Sequence, residues 1–249
     1  MGSTEDARVA LLSQLIDHAP LFPPASLALT EAVEEDSRAR VHPASFMLAR
    51  FVCPASRLSE LPDVGRGVSV VLDNAEGGVR LKADLRVEAV EAPPGVDLAS
   101  LVGLAEEVYA EVPLDDGLAA RLAEVERYGL RAKVRCSGAL AARLGWFLLE
   151  CRARDIVYKA TAGLHHAVRT EAEHGFLNLL AAAVFCDEDA LDEREPEAFE
   201  LRAEGFRWRG RTARPDELVH ARRTRLHSIG SCSFFEPVEE LEKLGILPL

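Results

Sequence analysis

Lysine is scarce in this sequence. Of the 29 lysines and arginines in 249 residues, only four are lysines: Lys82, Lys133, Lys159 and Lys243. Two of them, Lys133 and Lys159, lie within apolar runs typical of strands. An arginine there would carry the same charge with a different shape, and its pKa could not be lowered for catalysis. We therefore interpret Lys133 and Lys159 as selected for the chemistry of an amine.

Long apolar runs and an excess of positive charge are also absent. No apolar run approaches the roughly 20 residues that a membrane-spanning helix needs, and the N-terminus lacks the basic start and apolar block of a secretory signal. The net charge of −12 argues against nucleic acid or an anionic membrane as a partner, because like charges repel. We expect a cytoplasmic protein with no nucleic-acid partner and no membrane partner.

Cysteine is present without any pattern of pairing or metal binding. The sequence has five cysteines and no CxxC motif: Cys53, Cys136, Cys151, Cys186 and Cys232. An odd number of widely spaced cysteines is typical of reduced thiols and not of a disulfide framework. The first four lie in apolar runs and are expected to fill the core. For Cys232, in a run of small residues, a tight turn that offers backbone N–H groups to an anion is favoured over a nucleophilic thiol.

Short apolar runs of strand length alternate with helical patterns over most of the chain. We predict eight strands, in this order: Phe46 to Cys53, Val68 to Leu72, Leu85 to Glu91, Glu107 to Val112, Leu130 to Cys136, Ile156 to Thr161, Phe199 to Trp208 and Leu226 to Phe234. Strands that are apolar on both faces and alternate with helices indicate a parallel sheet covered by helices. Because the length suits the roughly 250 residues of a (β/α)8 barrel, we predict a TIM-barrel-like α/β fold.

We predict a single domain over residues 1–249, because no linker or low-complexity tract interrupts this pattern. Residues 1–45 are expected to form an N-terminal helical extension, since Asp6 to His18 and Ser26 to Arg40 have helical spacing. An open doubly wound α/β sheet is the alternative fold. The absence of a glycine-rich nucleotide fingerprint after the first predicted strand weighs against that alternative.

Charged residues gather toward the ends of the predicted strands. Side chains two positions apart on a strand share a face, which places Lys133 beside Arg135 and, on the next strand, Lys159 beside Thr161. Glu111 lies at the end of the strand before them. In a barrel the carboxyl ends of the strands converge on one mouth, where the active sites of such enzymes are built.

The segment from Lys159 to Arg169 adds a threonine, a glycine and two adjacent histidines to this cluster. We predict catalytic roles for Lys159, Lys133, Glu111, His165 and His166, and substrate-binding roles for Arg135, Thr161, Arg169 and Ser231. No residue is assigned to a metal, because the H-x-x-x-H and H-x-E spacings that indicate zinc are missing. No cofactor is expected.

Two interpretations of the lysines stay open. A lysine desolvated beside other cations has a lowered pKa and can form a Schiff base. Arg135 would then hold a carboxylate or phosphate group through two hydrogen bonds, with Glu111 or a histidine moving the proton. Alternatively the same cations only bind an anion, or the charges form an ion-pair network that neutralises the barrel interior.

We therefore predict an enzyme that acts on a small anionic carbonyl or phosphorylated metabolite, with lyase or aldolase-like chemistry through a lysine at the barrel mouth. One alternative is a non-catalytic metabolite-binding or scaffold protein. Another is a metal-dependent hydrolase that uses the histidines. The expected partner is a small anionic metabolite, and self-association into a homo-oligomer is left open.

Two resemblances accompany these motifs. The run Lys159-Ala-Thr-Ala-Gly-Leu-His-His166, with a late Gly230-Ser-Cys-Ser-Phe-Phe-Glu-Pro237, resembles a family of uncharacterised bacterial proteins over most of the chain from Phe46 onward. In spacing, the first five residues of that run are also similar to the Lys-x-Ser/Thr-x-Gly motif of class I aldolases of the deoxyribose-phosphate type. That similarity implies a barrel whose sixth strand carries a Schiff-base lysine. Those aldolases have their second lysine on the next strand, whereas Lys133 precedes Lys159.

Overall fold

A closed barrel of eight parallel strands forms the centre of the protein. The structure is a computed structural model that describes residues 6–73 and 85–249, so that Lys82 lies outside the described residues. The barrel strands are β1 Ile16–His18, β2 Leu48–Pro54, β3 Val68–Val71, β4 Val87–Ala92, β5 Glu107–Glu111, β6 Arg131–Arg135, β7 Tyr158–Thr161 and β11 Leu226–Ser231. β1 closes the barrel between β2 and β11. The predicted TIM-barrel-like fold is confirmed, and the open-sheet alternative is wrong.

Helices surround the barrel, although not evenly. The α-helices of the described residues are α1 Ala7–Leu12, α2 Leu29–Arg40, α3 Leu118–Arg127, α4 Ala141–Ala153, α5 Phe176–Phe185, α6 Pro215–Thr224 and α7 Phe235–Lys243. The connections from β2 to β3 and from β4 to β5 contain only short 3-10 helices, Ala55–Arg57 and Leu98–Leu101. Within the described chain, no helix is both long and apolar enough to cross a membrane.

The helix α3 shows how the sequence produces this outer layer. Its apolar residues Leu118, Leu122 and Val125 recur at helical spacing, and all three are buried. Burying each of these side chains contributes about 1.5–3 kcal/mol. The helix ends before Gly129, whose φ of 62° lies in the left-handed region that ends helices, and β6 follows directly.

The first barrel strand corrects the expected N-terminal helical extension. The helical pattern over Asp6 to His18 ends early, because α1 stops at Leu12 and Ile16–His18 forms β1 inside the segment 1–45. Two of the three residues of β1 are polar, so the strand has no apolar signature. Both are nevertheless fully buried, since Asp17 forms ion pairs inside the barrel and His18 Nδ1 lies 2.9 Å from Asp36 on the outside.

The predicted strand from Phe199 to Trp208 is wrong as a barrel strand. It forms the antiparallel hairpin β8 Phe199–Arg202 and β9 Gly205–Trp208, to which β10 Arg211–Ala213 adds a third strand. This small sheet is a separate sheet in the connection between α5 and α6. Its aromatic residues pack against α5, with the ring centroids of Phe185 and Trp208 6.0 Å apart. The alternating pattern from Phe199 to Trp208 therefore correctly indicated extended structure, but these strands lie in a separate sheet outside the barrel.

Candidate active site at the mouth of the barrel

A cavity of about 470 Å³ opens at the carboxyl ends of the barrel strands. Most of the predicted site residues line it: Glu111, Lys133, Arg135, Lys159, Thr161, His165 and Ser231. Residues 19–24 after β1, residues 162–165 after β7 and residues 230–232 at the end of β11 complete its wall together with other strand ends. The fold thus brings together side chains that are distant in sequence.

Two predicted residues lie elsewhere. Arg169 donates from Nη1 to His174 Nδ1 at 2.8 Å, and its backbone N–H donates to Asn178 Oδ1 at 2.8 Å. The second bond attaches the loop after β7 to α5, and Arg169 lies outside the cavity wall. The substrate-binding role of Arg169 stays a prediction. His166 has a 44% exposed side chain outside the cavity wall, with Nδ1 3.6 Å from Glu240 Oε2. The adjacent histidines therefore point in different directions.

Lys159 is fully buried between two carboxylates. Its Nζ donates to Asp17 Oδ2 at 2.5 Å and to Glu91 Oε1 at 2.6 Å. Ser228 Oγ donates to the same oxygen of Asp17, and Ser69 Oγ donates to the same oxygen of Glu91, each at 2.7 Å. The sequence-based prediction missed Asp17 because it missed β1, and the one signal for it was a lone acidic residue that follows the two apolar residues Leu15 and Ile16.

This arrangement reverses the electrostatics predicted for Lys159. Burial alone lowers the pKa of Lys159, but the carboxylates of Asp17 and Glu91 outweigh burial and raise that pKa above its ordinary value. For the carboxyl group of Glu91 the two effects have the opposite sign. Burial raises its pKa, and the ammonium groups of Lys159 and Lys133 outweigh burial and lower that pKa to about 2. The raised pKa of Lys159 opposes the lowered pKa that the Schiff-base interpretation requires, and it agrees with the alternative in which Lys159 supplies only positive charge.

Lys133 lies in register with Lys159 on the neighbouring strand. Its Nζ is 2.9 Å from Glu111 Oε2 and 3.3 Å from Glu91 Oε2. The Glu91 carboxylate therefore bridges the two lysines, one oxygen to each. Glu111 contacts Lys133 alone among the described residues, and it lines the cavity with a partly exposed side chain.

Arg135 is an exposed residue at the carboxyl end of β6, where it lines the cavity. Its guanidinium group forms no hydrogen bond or ion pair with any residue in the described parts of the chain. Lys133 and Lys159, by contrast, each contact two carboxylates. Arg135 is paired in register with Thr161 on β7, which lines the same cavity.

The loops after β7 and β11 form one side of the cavity. β7 is followed by two left-handed residues, Ala162 with φ 62° and Gly163 with φ 67°. Only glycine fits at position 163, because a Cβ would lie 2.9 Å from the Cα of Ser137. A left-handed alanine costs roughly 1–2 kcal/mol, and such strain collects at functional sites. The backbone N–H groups of residues 163–165 donate no hydrogen bond to any described residue.

A second tier of charges fills the barrel below the cavity. Glu107 accepts hydrogen bonds from Arg50 Nη2 at 2.6 Å and from the Tyr109 hydroxyl at 2.8 Å, and it pairs with Arg131 Nη1 at 2.7 Å. Burial lowers the pKa of His227 to about 4, so its neutral ring can accept a hydrogen bond from Arg131 at 3.1 Å. These groups pair with one another, although Arg50 Nη1 has no hydrogen-bond partner among the described residues. The ion-pair network considered from the sequence concerned the charged residues at the cavity, and the residues of this tier lie outside that set.

The fold does not name a reaction, because the same barrel hosts many unrelated chemistries. With β1 included, the strand that carries Lys159 is the seventh of the barrel in chain order, whereas the aldolase motif lies on the sixth. The shared spacing of five residues is therefore not accompanied by a shared strand position.

No protein-family model, no curated protein and no solved structure matches this chain.

Proposed function

We propose that this protein is an enzyme that binds a small anionic metabolite at the barrel mouth and moves a proton within it. The observation that carries the proposal is the position of Arg135, a cation in the cavity wall without a partner among the described residues. A planar guanidinium matches a carboxylate or phosphate through two parallel hydrogen bonds. The ligand class is therefore a small carboxylated or phosphorylated compound.

The loops after the seventh and eighth strands support the same ligand class. In (β/α)8 enzymes these loops frequently form a phosphate site, and here they are residues 162–165 and 232–234. The backbone N–H groups of residues 163–165 have no acceptor in the described chain and can donate to an anion. Gly163 and Gly230 keep this wall compact, since a Cβ at Gly230 would lie 2.9 Å from Thr161 Cγ2.

The pair formed by Glu111 and Lys133 provides the chemistry. The Glu111 carboxylate lines the cavity and is held by Lys133 at 2.9 Å, so it is positioned to accept a proton from a bound ligand. The Lys133 ammonium can stabilise the negative charge that then develops on an adjacent carbonyl oxygen. Lys159 contributes fixed positive charge beneath them and holds Glu91 in place.

A Schiff-base lyase is the second candidate function, and Lys133 is the residue that favours it. Its amine lies in the cavity wall 2.9 Å from Glu111, a group able to accept its proton. Lys159 is less suited to this role, because its side chain is fully buried and its two carboxylate partners lie closer, at 2.5 and 2.6 Å, than those of Lys133, at 2.9 and 3.3 Å. The two candidates share a cavity and a ligand class and differ in whether a covalent bond forms.

The test is ligand-observed NMR with a panel of keto acids, hydroxy acids and sugar phosphates. We expect wild-type protein to bind and convert at least one compound. Arg135→Gln should weaken that binding by about 1.5–3 kcal/mol, the value of a charged hydrogen bond. The matched control is Arg223→Gln, which removes the same charge from an exposed arginine of α6 that has no partner among the described residues.

Glu111→Gln separates catalysis from binding. This variant should retain binding and lose conversion, because the amide cannot accept the proton. Binding that Arg135→Gln leaves unchanged would remove the basis of the proposal. If the wild-type protein binds a compound without converting it, the protein is instead a non-catalytic metabolite-binding protein. Its ligand then stabilises the folded protein and is itself unchanged.

A further inference from the structure

Three side chains of different chemistry converge at the rim of the cavity. His165 lies in the loop after β7, Cys232 directly follows β11, and Glu236 lies in the first turn of α7. One donor atom from each lies within 4.8 Å of the other two. His165 Nδ1 and Glu236 Oε2 are already 2.9 Å apart.

We propose that His165, Cys232 and Glu236 bind a divalent transition-metal ion, with Zn²⁺ as the preferred ion. An imidazole nitrogen, a thiolate sulfur and a carboxylate oxygen are the three ligand types that proteins use for zinc. The sulfur ligand disfavours Mg²⁺ and Ca²⁺, which take oxygen ligands. The carboxylate and imidazole can each coordinate the ion through the atoms that now face one another.

The spacing of the donor atoms suits a small ion. Zinc bonds of roughly 2.0–2.3 Å in a tetrahedron place the ligand atoms about 3.3–3.8 Å apart. The present separations, from 2.9 Å to at most 4.8 Å, bracket this range. Rotation of the Glu236 side chain, which is 51% exposed, is enough to open the His165 contact without moving the backbone.

The backbone around the cluster is held in place by the serines on either side of Cys232. Ser231 Oγ donates to the backbone oxygen of Ser233 at 2.6 Å. Ser233 Oγ in turn accepts from the N–H of Phe235 at 3.2 Å, which stabilises the start of α7. Cys232 and Glu236 therefore lie on one braced segment, as a ligand pair requires.

A divalent ion at this cluster would bind Cys232 as a thiolate, because the ion displaces the thiol proton to solvent and pairs with the resulting negative sulfur. The carboxylate of Glu236 supplies a second negative ligand.

The position of the cluster indicates an open coordination site. His165 and Cys232 both line the cavity, whereas Glu236 approaches from α7 at the rim. Three protein ligands leave the fourth tetrahedral position for water or a ligand oxygen, as in catalytic zinc sites. His165 and Cys232 share this cavity with Arg135. The metal site does not depend on the proposed anion binding and is tested without a substrate.

The test is calorimetric titration of Zn²⁺, and separately of Co²⁺, into the chelator-treated full-length protein. The expected result is one site per chain and a cobalt spectrum with thiolate-to-metal charge transfer. Loss of a residue that only hydrogen-bonds to a metal ligand weakens metal binding by roughly 10- to 100-fold. Because Cys232→Ser, His165→Gln and Glu236→Gln each remove a ligand, each should weaken metal binding by more than that. Cys232→Ser should also abolish the charge-transfer band.

Matched controls replace the same residue types outside the cluster. They are Cys186→Ser after α5, His220→Gln on α6 and Glu239→Gln on α7, the last two at exposed positions. We expect all three to bind the ion as the wild-type protein does. The absence of a one-to-one site, or binding that Cys232→Ser leaves intact, would overturn the proposal.

Alkylation of Cys232 distinguishes a metal site from a thiol nucleophile. We expect iodoacetamide to react slowly with Cys232 and Zn²⁺ to slow it further. Fast alkylation that requires His165 and that Zn²⁺ does not slow would overturn the metal site and identify a cysteine activated by histidine. The two proposals fail separately, because Arg135→Gln tests the anion site and leaves all three metal ligands in place.

Discussion

The ammonium group of Lys159 lies 2.5 Å from the carboxylate of Asp17, although the two residues are 142 positions apart in the chain. Neither side chain is exposed to solvent. The contact joins the first barrel strand to the seventh, on the far side of β11. A buried ion pair of this kind contributes little net stability, yet removing one partner leaves an uncompensated charge.

Replacing Asp17 by asparagine should therefore lower the free energy of unfolding by about 3–5 kcal/mol. Urea titration of the wild-type protein and the variant measures the difference. Asp116→Asn is the matched control, since its side chain is 92% exposed and its loss should stay within about 0.5 kcal/mol. The double variant Asp17→Asn with Lys159→Met should recover part of the loss, and equal effects of Asp17→Asn and Asp116→Asn would contradict this account.

Lys159 should not form a carbonyl adduct. Its two carboxylate partners raise the pKa of its ammonium group, so the neutral amine is scarce. We expect borohydride reduction in the presence of small aldehydes, keto acids and sugar phosphates, followed by peptide mass spectrometry, to leave Lys159 unmodified. A class I aldolase serves as the positive control. An adduct on Lys133 would favour the lyase candidate, whereas an adduct on Lys159 would contradict the role of fixed charge.

Glu91 should make the protein sensitive to acid. In the folded state its pKa is about 2, against an ordinary value of 4.5. Between these values the unfolded state binds the extra proton, so the stability that Glu91 contributes is complete above pH 4.5 and is lost as the pH falls toward 2. Urea titrations across this range should show a shallower dependence for Glu91→Gln. The exposed Glu124→Gln on α3 should keep the wild-type slope, and equal slopes for all three proteins would refute the prediction.

His227 should affect stability in a different pH range. Burial lowers its folded-state pKa to about 4, against an ordinary value of 6.5. The unfolded chain therefore takes up a proton as the pH falls from 6.5 to 4 while the folded protein does not, and stability falls over that interval. His227→Gln should flatten this part of the profile, with the exposed His220→Gln as control. A wild-type slope in His227→Gln would show that the pKa of His227 is the same in the folded and unfolded states.

The sequence predicted most of the barrel, because most of its strands are continuous apolar runs. Six predicted strands, from Phe46 to Thr161 in the chain, correspond to β2–β7, and the last corresponds to β11. β1 was missed because a three-residue strand with two polar residues has no periodicity to detect. The hairpin β8 and β9 was placed in the barrel because its alternating pattern does not say which sheet a strand joins.

The sequence predicted those features of the site that depend on the alternation of side chains along a single strand. Alternation along β6 and β7 correctly placed Lys133, Arg135, Lys159 and Thr161 at one cavity. The partners of these residues depend on the register between strands that are far apart in the chain. The spacing of residues within one strand carries no information about that register. The pairing of Lys159 with Asp17 is the clearest case, since it favours fixed charge over a nucleophilic amine, the two roles that the sequence left open for this lysine.

Calorimetric titration of inorganic phosphate into the full-length protein tests the central claim most directly, because it requires no knowledge of the substrate. We expect one phosphate per chain in the wild-type protein and in Arg223→Gln. Binding to Arg135→Gln should be weakened by at least about tenfold, equivalent to 1.4 kcal/mol or more. Equal phosphate affinity in Arg135→Gln and the wild-type protein, or no phosphate binding by the wild-type protein, would contradict an anion site at this cavity.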